Sequence, residues 1–179
     1  GMDIISVRKW KEEVRDISSK LYDSINSNDL EISKEIIFQS AAALGRYHSA
    51  VENARVTPRD ARRWNKRLEQ LEARLRANTI WRAPHTKHTD CILTIGDIRF
   101  SDMINDDSGK YNIHFSRPRL ADSIIPPECE FPAIRDFSSL LHDLNRIYFL
   151  CDSELKISEL RSTLIEGWKS TAPAKWSSK

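Results

Sequence analysis

The sequence predicts a mainly α-helical protein that carries a small antiparallel β-meander. Only five of the 179 residues are glycine, fewer than half of the roughly 7% that is usual, and glycine-poor chains rich in charge are typically helical. In several stretches the apolar residues recur at alternating spacings of three and four, which places them on one side of a helix. One region, 90–116, instead alternates apolar and polar residues, as a strand with one buried face does.

Residues 3–78 are predicted to form three helices that pack as an antiparallel bundle or a long hairpin. The first helix ends at the polar run 26–29, whose side chains also suit the start of the second. The third begins at Thr57-Pro58, an N-cap residue followed by a proline at the first helical position. The three apolar stripes are Val7, Trp10, Val14, Ile17 and Leu21; Ile37, Ala41, Leu44, His48 and Val51; and Ala61, Trp64, Leu68, Leu71 and Leu75.

The second half of the chain supplies the strands and two further helices. We expect strands at 91–95, 98–101 and 111–115, with Gly96-Asp97 as a two-residue turn between the first two. Four prolines make 117–132 a connector. Residues 133–169 then form a helix pair that breaks at Asp152-Ser153 and ends near Gly167. The first helix of the pair has an apolar face of Ile134, Phe137, Leu141, Leu144 and Tyr148, widened by Leu140 and Ile147. The prediction is a single domain, 3–179.

Composition excludes several classes of protein. Three cysteines cannot all pair within one chain and are too few for a disulfide framework. The sequence carries no apolar stretch near the roughly 20 residues that cross a bilayer, and we expect no secretory leader. We therefore predict a cytoplasmic protein with no membrane partner. No cofactor is indicated and no metal site is assigned, because the cluster from His85 to Cys91 lacks a nearby fourth ligand.

Charge is unevenly distributed although the net charge is only +2. Residues 55–82 hold nine Lys or Arg against three Asp or Glu, whereas residues 122–166 hold four against nine. On the third helix, a basic stripe lies opposite the apolar face, and it consists of Arg59, Arg62, Arg63 and Lys66. Several cations on one surface suit either nucleic-acid phosphates or an acidic protein partner. These four residues are the predicted binding site.

A second candidate site lies on the helix after residue 133. Arg135-Asp136, with His142 seven residues after the arginine, resembles the Arg, polar residue, His signature of HEPN-type ribonucleases. The resemblance is confined to that helix and implies metal-independent RNA cleavage by Arg135 and His142. Arg82 and His88 fit the same short pattern, and patterns of this length need structural context. We assign no catalytic residue from it.

Two further polar features have structural interpretations. His48 lies in an apolar stripe, where a lone histidine is typically a hydrogen-bonded core residue. Asp102, Asn105, Asp106 and Asp107 crowd one loop without the ligand order of a calcium site, which favours a turn.

The resulting functional prediction is a non-catalytic helical interaction protein that binds another macromolecule through its helix faces and charge asymmetry. The partner would be another protein or a second copy of the chain, and its identity is unknown. The first alternative is nucleic-acid binding through the basic third helix. The second is a HEPN-like ribonuclease.

Overall fold

The structure, a computed structural model, describes residues 17–52, 91–92, 94–106, 108–114 and 131–177. The helices in this part of the chain are α1 (Ile17–Asn26), α2 (Leu30–Val51), α3 (Ile134–Leu150), α4 (Ile157–Thr171) and α5 (Ala174–Ser177). The strands are β1 (Cys91–Ile92), β2 (Met103–Asn105), β3 (Tyr111–Ile113) and β4 (Phe131–Pro132). The predicted fold class, mainly α with a small antiparallel β component, is confirmed.

The break between α1 and α2 lies where the polar run predicts it. Asn28 adopts a left-handed conformation with φ of 57°, which asparagine tolerates better than most residues. The Asp29 carboxylate then accepts a hydrogen bond from Ile32 N–H at 3.0 Å and caps α2. Inside the turn, Ser33 Oγ donates to Ser24 Oγ at 2.9 Å. These bonds hold the end of α1 to the start of α2.

The β structure differs from the predicted meander. β2 pairs antiparallel with β3, with Met103 opposite Ile113, and β1 pairs antiparallel with β4, with Ile92 opposite Phe131. The predicted strand 98–101 is wrong. Its second half belongs to a turn of 3₁₀ helix, Phe100–Asp102, because the backbone there bonds to side chains of α3 rather than to a neighbouring strand. β4 also shows that the proline-rich connector ends in a short paired segment.

The core forms where α2 packs along α4. Gly167 lies against α2 so closely that a Cβ atom built on it would be 2.5 Å from Phe38 O. The last helix does not end near Gly167 as predicted. Instead, α4 continues to Thr171. Buried apolar side chains from α1, α3 and the 91–113 region complete the core, among them Leu21, Phe100, Met103, Leu140 and Leu144.

The buried apolar residues of α3 belong to the predicted apolar face, but the first residue of that face is not buried. Phe137, Leu140, Leu144 and Ile147 are buried, whereas Ile134 is 52% exposed. After α4, Trp176 in α5 packs against the core, which attaches the last described turn.

Several predictions fall outside the described residues, including the first apolar stripe up to Val14 and the whole third helix with its basic stripe. The single-domain assignment stays a prediction. Among the described helices, none is both long enough and apolar enough to cross a membrane.

Candidate functional site

The feature with the densest polar contacts is the segment 94–102 between β1 and β2, which we call the anchored loop. Its apolar side chains, Ile98 and Phe100, are completely buried. Between and beside them, Asp97 and Arg99 are exposed. The loop is thus fixed to the core at two points while it presents a carboxylate and a guanidinium outward.

Asp136 holds the start of the anchored loop. This residue lies in the first turn of α3 and is completely buried. Its Oδ2 accepts a hydrogen bond from Ile95 N–H at 2.9 Å, and its Oδ1 accepts one from Gly96 N–H at 2.8 Å. Charge-assisted bonds of this kind are about twice as strong as neutral ones. Nearby, Ser139 Oγ donates to Gly96 O at 3.1 Å.

Two more carboxylates hold the end of the loop. Asp143 Oδ2 accepts from Phe100 N–H at 2.9 Å, and its Oδ1 accepts from Arg146 Nε at 2.9 Å. Asp102 Oδ2 accepts from Arg99 N–H at 2.8 Å. The carbonyl of Asp102 in turn accepts from His114 N–H at 2.7 Å, which joins the loop to the end of β3.

His48 lies behind Asp136 and is completely buried, as the sequence predicts for a core histidine. Trp168 Nε1–H donates to His48 Nδ1 at 3.0 Å, and His48 Nε2 lies 3.3 Å from Asp136 Oδ2. The charge of Asp136 also affects the pKa of the neighbouring residue, Tyr47. Burial, and secondarily the negative charge of Asp136, raise the pKa of Tyr47 to about 12.

Gly96 turns the backbone immediately before Asp97. Its φ is 96°, a conformation that residues with a Cβ atom adopt only with strain. No atom lies within 4 Å of a Cβ built there, so the requirement for glycine comes from the backbone and not from crowding. The predicted two-residue hairpin turn at Gly96-Asp97 is therefore a turn within the anchored loop.

The exposed pair on the loop is close. Arg99 Nη2 donates to Asp97 Oδ2 at 2.6 Å, and the two side chains are 54% and 49% exposed. This hydrogen bond and the charge of Asp97 raise the pKa of Arg99, so the guanidinium keeps its charge. An exposed carboxylate can accept a proton from a hydroxyl group, and the Arg99 guanidinium places a positive charge next to it.

The predicted site residues have different outcomes. Arg59, Arg62, Arg63 and Lys66 lie outside the described residues, so the basic stripe stays an untested prediction. Arg135 contacts the anchored loop, with its Nη1 3.4 Å from Thr94 Oγ1, whereas His142 is exposed on α3. It is the residue between them in the HEPN-like pattern, Asp136, that makes the buried contacts.

Sequence reasoning missed Asp97, Asp102, Asp136 and Asp143. A signal for the last two was present, because Asp136 and Asp143 are seven residues apart on the same face as Phe137, Leu140 and Leu144. A carboxylate on the buried face of an amphipathic helix must have partners. Those partners are backbone amides of the anchored loop, which no side-chain pattern identifies.

A second surface feature is an open cleft of about 460 Å³ between α2 and α4. Four of its nine lining residues are glutamates, and the Lys34–Glu159 ion pair, 3.4 Å long, lies within it. The lining residues on α2 are 31–38, at least ten residues before His48, or about 15 Å along the helix. The cleft is thus separate from the anchored loop. The described residues contain no group of three or more His, Cys, Asp or Glu that could hold a metal ion.

Comparison with known proteins finds likeness in structure only. No family model matches the chain and no curated protein matches its sequence. A structure of a glucosamine kinase in complex with glucosamine, ADP and inorganic phosphate matches with a TM-score of 0.60 and 15% identity, over 90% of this chain and 45% of the kinase. Crystal form B of a glucosamine kinase matches with a TM-score of 0.57 and 15% identity, over 90% of this chain and 47% of the kinase. The chain spans less than half the length of these kinases.

This likeness corrects the functional prediction. The expectation of a non-catalytic helical interaction protein is wrong, because the chain shares its fold with part of an enzyme. The predicted binding through helix faces also does not account for the anchored loop, which the polar network around Asp136 and Asp143 holds in place. At 15% identity the likeness establishes the fold alone.

Proposed function

We propose that this chain provides the acceptor-activating part of a sugar phosphotransferase, with Asp97 as the base. One observation carries the proposal: buried carboxylates on both sides of Asp97 fix the anchored loop, while Asp97 itself is exposed. Loops held so firmly by a scaffold are where catalytic side chains are typically presented. The fold shared with glucosamine kinases supports the choice of reaction class.

The spacing of the two loop carboxylates also supports a kinase-type reaction. Protein kinases carry a catalytic Asp, then an apolar residue, and an Asn five positions after the Asp. Asp97, Ile98 and Asp102 have this spacing, with Asp in place of Asn. The His-Arg pair that precedes the Asp in protein kinases is absent, since Ile95-Gly96 occupy those positions.

In the proposed step, a sugar hydroxyl lies against Asp97. The hydroxyl oxygen attacks the terminal phosphorus of a nucleoside triphosphate, and its proton moves to the Asp97 carboxylate. The bond from that phosphorus to the bridging oxygen breaks, and the nucleoside diphosphate leaves with the electron pair. Arg99 orients Asp97 and adds a positive charge beside the transferring group.

Kinases use their nucleotide with Mg²⁺, and the described residues do not fit such an ion. They bring together no group of three candidate ligands, and Asp102 is buried with its Oδ2 bonded to Arg99 N–H. The segment that follows β3 begins His114-Phe115, where protein kinases have the metal-binding Asp of Asp-Phe-Gly.

The first test compares Asp97→Asn with wild type. Titration of glucosamine, followed by NMR at Asp97 and by release of ADP from ATP, measures binding and turnover separately. A general base contributes about 10²–10⁴ in rate, so we expect turnover by Asp97→Asn to fall by about 100-fold or more, with a much smaller change in glucosamine binding.

The matched control is Asp152→Asn. Asp152 is exposed and follows the opposite end of α3 from Asp136, about 25 Å away along the helix. We expect it to behave as wild type. Equal turnover in Asp97→Asn and wild type, or no response of Asp97 to glucosamine or other hexoses, contradicts the proposal.

We also propose the cytoplasmic location predicted from the cysteine usage, which cell fractionation tests.

A further inference from the structure

A chain of buried hydrogen bonds reaches the anchored loop from the core of the molecule. It begins at Trp168 on α4, passes through His48 on α2 and ends at Asp136 on α3. All three side chains are at most 5% exposed. Three helices thus converge on the two peptide groups that precede Asp97.

The hydrogen positions in this chain follow from the chemistry of its first member. An indole nitrogen can only donate, so His48 Nδ1, 3.0 Å from Trp168 Nε1, is the acceptor. The ring proton of a neutral imidazole is then on Nε2, which faces Asp136 Oδ2 at 3.3 Å. Trp168 therefore selects the tautomer of His48 that donates toward Asp136.

Asp136 connects His48 to the backbone of the anchored loop. Its Oδ2 receives both His48 and Ile95 N–H, and its Oδ1 receives Gly96 N–H at 2.8 Å. A carboxylate bonded at both oxygens cannot rotate, so it fixes the plane of the peptide between Ile95 and Gly96. The next residue is Asp97.

A buried carboxylate that holds a turn contributes little net stability, because its desolvation offsets much of what its hydrogen bonds contribute. Stability alone does not explain a buried Trp–His–Asp chain that ends on backbone amides. We infer that Asp136 is a positioning residue for Asp97, and that His48 and Trp168 orient Asp136. The inference rests on the proposed function for its catalytic meaning, and on geometry for the positioning itself.

The test uses three variants. Asp136→Asn has one acceptor oxygen instead of two, so one of the two loop amides loses its partner. Trp168→Phe keeps an aromatic ring beside Phe137, whose ring centroid is 5.0 Å away, but leaves His48 Nδ1 without its donor. Asp143→Asn is the matched control, because Asp143 is equally a buried carboxylate of α3 bonded to this loop, but at Phe100, beyond Asp97.

Two NMR readouts follow the loop without any ligand: the ¹³C shift of the Asp97 carboxyl and the hydrogen exchange of the Gly96 amide. The ¹⁵N shifts of His48 report its tautomer. We expect all three to change in Asp136→Asn and Trp168→Phe. The Asp97 signal should change clearly less in Asp143→Asn, because Asp143 bonds the loop at Phe100 and not before Asp97. With ATP and glucosamine, kcat should fall by up to about 100-fold in Asp136→Asn, while KM for glucosamine stays within about twofold.

An unchanged Asp97 signal in Asp136→Asn overturns the inference, as does an equal change in Asp143→Asn. An Asp97 signal that responds to Asp136→Asn but not to Trp168→Phe overturns the part that concerns His48 and Trp168. If wild type neither binds nor phosphorylates glucosamine, the proposed function fails. The positioning by Asp136 is then decided by the NMR readouts alone.

Discussion

At the scale of single residues, two glycines with positive φ among the described residues allow the effect of backbone strain on stability to be distinguished from its effect on function. Gly96 and Gly109 have φ of 96° and 81°, and neither has an atom within 4 Å of a built Cβ. Gly96 precedes Asp97 in the anchored loop, whereas Gly109 lies in the turn between β2 and β3. The same substitution thus has the same conformational cost at two sites with different roles.

We predict that Gly96→Ala and Gly109→Ala each lower the free energy of unfolding by about 1 kcal/mol, because alanine is strained at positive φ. Only Gly96→Ala should reduce turnover, since it displaces the Asp97 backbone. Urea unfolding and the glucosamine assay measure the two effects. A loss of turnover in Gly109→Ala of similar size would show that the loss reflects lower stability and not the position of Asp97.

The turn that contains Gly109 is stabilised by its own acidic residue. Asp106 Oδ1 accepts from Ser108 N–H and Lys110 N–H, both at 3.0 Å. Its Oδ2 accepts from Asn112 Nδ2 at 2.8 Å. Hydrogen bonds from Ser108 and Lys110 lower the pKa of Asp106. A turn at this acidic loop, as the sequence predicts, is present in the structure, where Gly109 N–H donates to Asp106 O at 2.9 Å.

At the scale of elements, the contact between α2 and α4 depends on small residues. A Cβ on Gly167 would lie 2.5 Å from Phe38 O and 2.9 Å from Phe38 Cα. Both atoms belong to the backbone, so the two helices would have to separate. On the other side of the same contact, Thr171 Oγ1 donates to Ala42 O at 2.8 Å.

Overpacking typically costs about 1–3 kcal/mol, and alanine adds roughly 1 kcal/mol of helix propensity relative to glycine. Because both crowded atoms are backbone atoms, we expect a cost near the upper end and predict that Gly167→Ala lowers the free energy of unfolding by about 2 kcal/mol. Ser162→Ala, at an exposed position of the same helix, is the control and should be neutral or slightly stabilising. Thermal melts of both variants make the comparison, and a Gly167→Ala protein as stable as wild type would contradict the close approach.

At the scale of the whole molecule, segments far apart in sequence share one core. Completely buried leucines come from four helices, Leu21, Leu44, Leu144 and Leu164. None of these helices can bury its apolar face without the others. The described helices should consequently lose their structure together.

Native-state hydrogen exchange measures this cooperativity. We predict that the amides of those four leucines open with free energies that agree within about 1 kcal/mol, because each requires global unfolding. If α1 exchanged with a free energy several kcal/mol lower than α4, the shared core would not be one cooperative unit.

Local patterns in the sequence predicted the helices and the start of the strand region. Apolar residues at alternating spacings of three and four located α2, α3 and α4. The polar residues at 26–29 located the break between α1 and α2, and those at 152–153 located the break between α3 and α4. Such patterns succeed because a helix satisfies its backbone hydrogen bonds internally, so its sequence needs only a buried face and caps. His48 was placed in the core for the same reason.

The anchored loop could not be predicted in this way. Residues 98–101 alternate like a strand, but their backbone is satisfied by Asp143 and Asp102 and not by a neighbouring strand. Asp136 carries no local sign that it accepts amides 40 and 41 residues earlier. The sequence by itself determined which helix faces are apolar and where the chain breaks between α1 and α2 and between α3 and α4. Only the tertiary structure decided which buried carboxylate meets which backbone amide, because that pairing depends on how helices distant in sequence pack together.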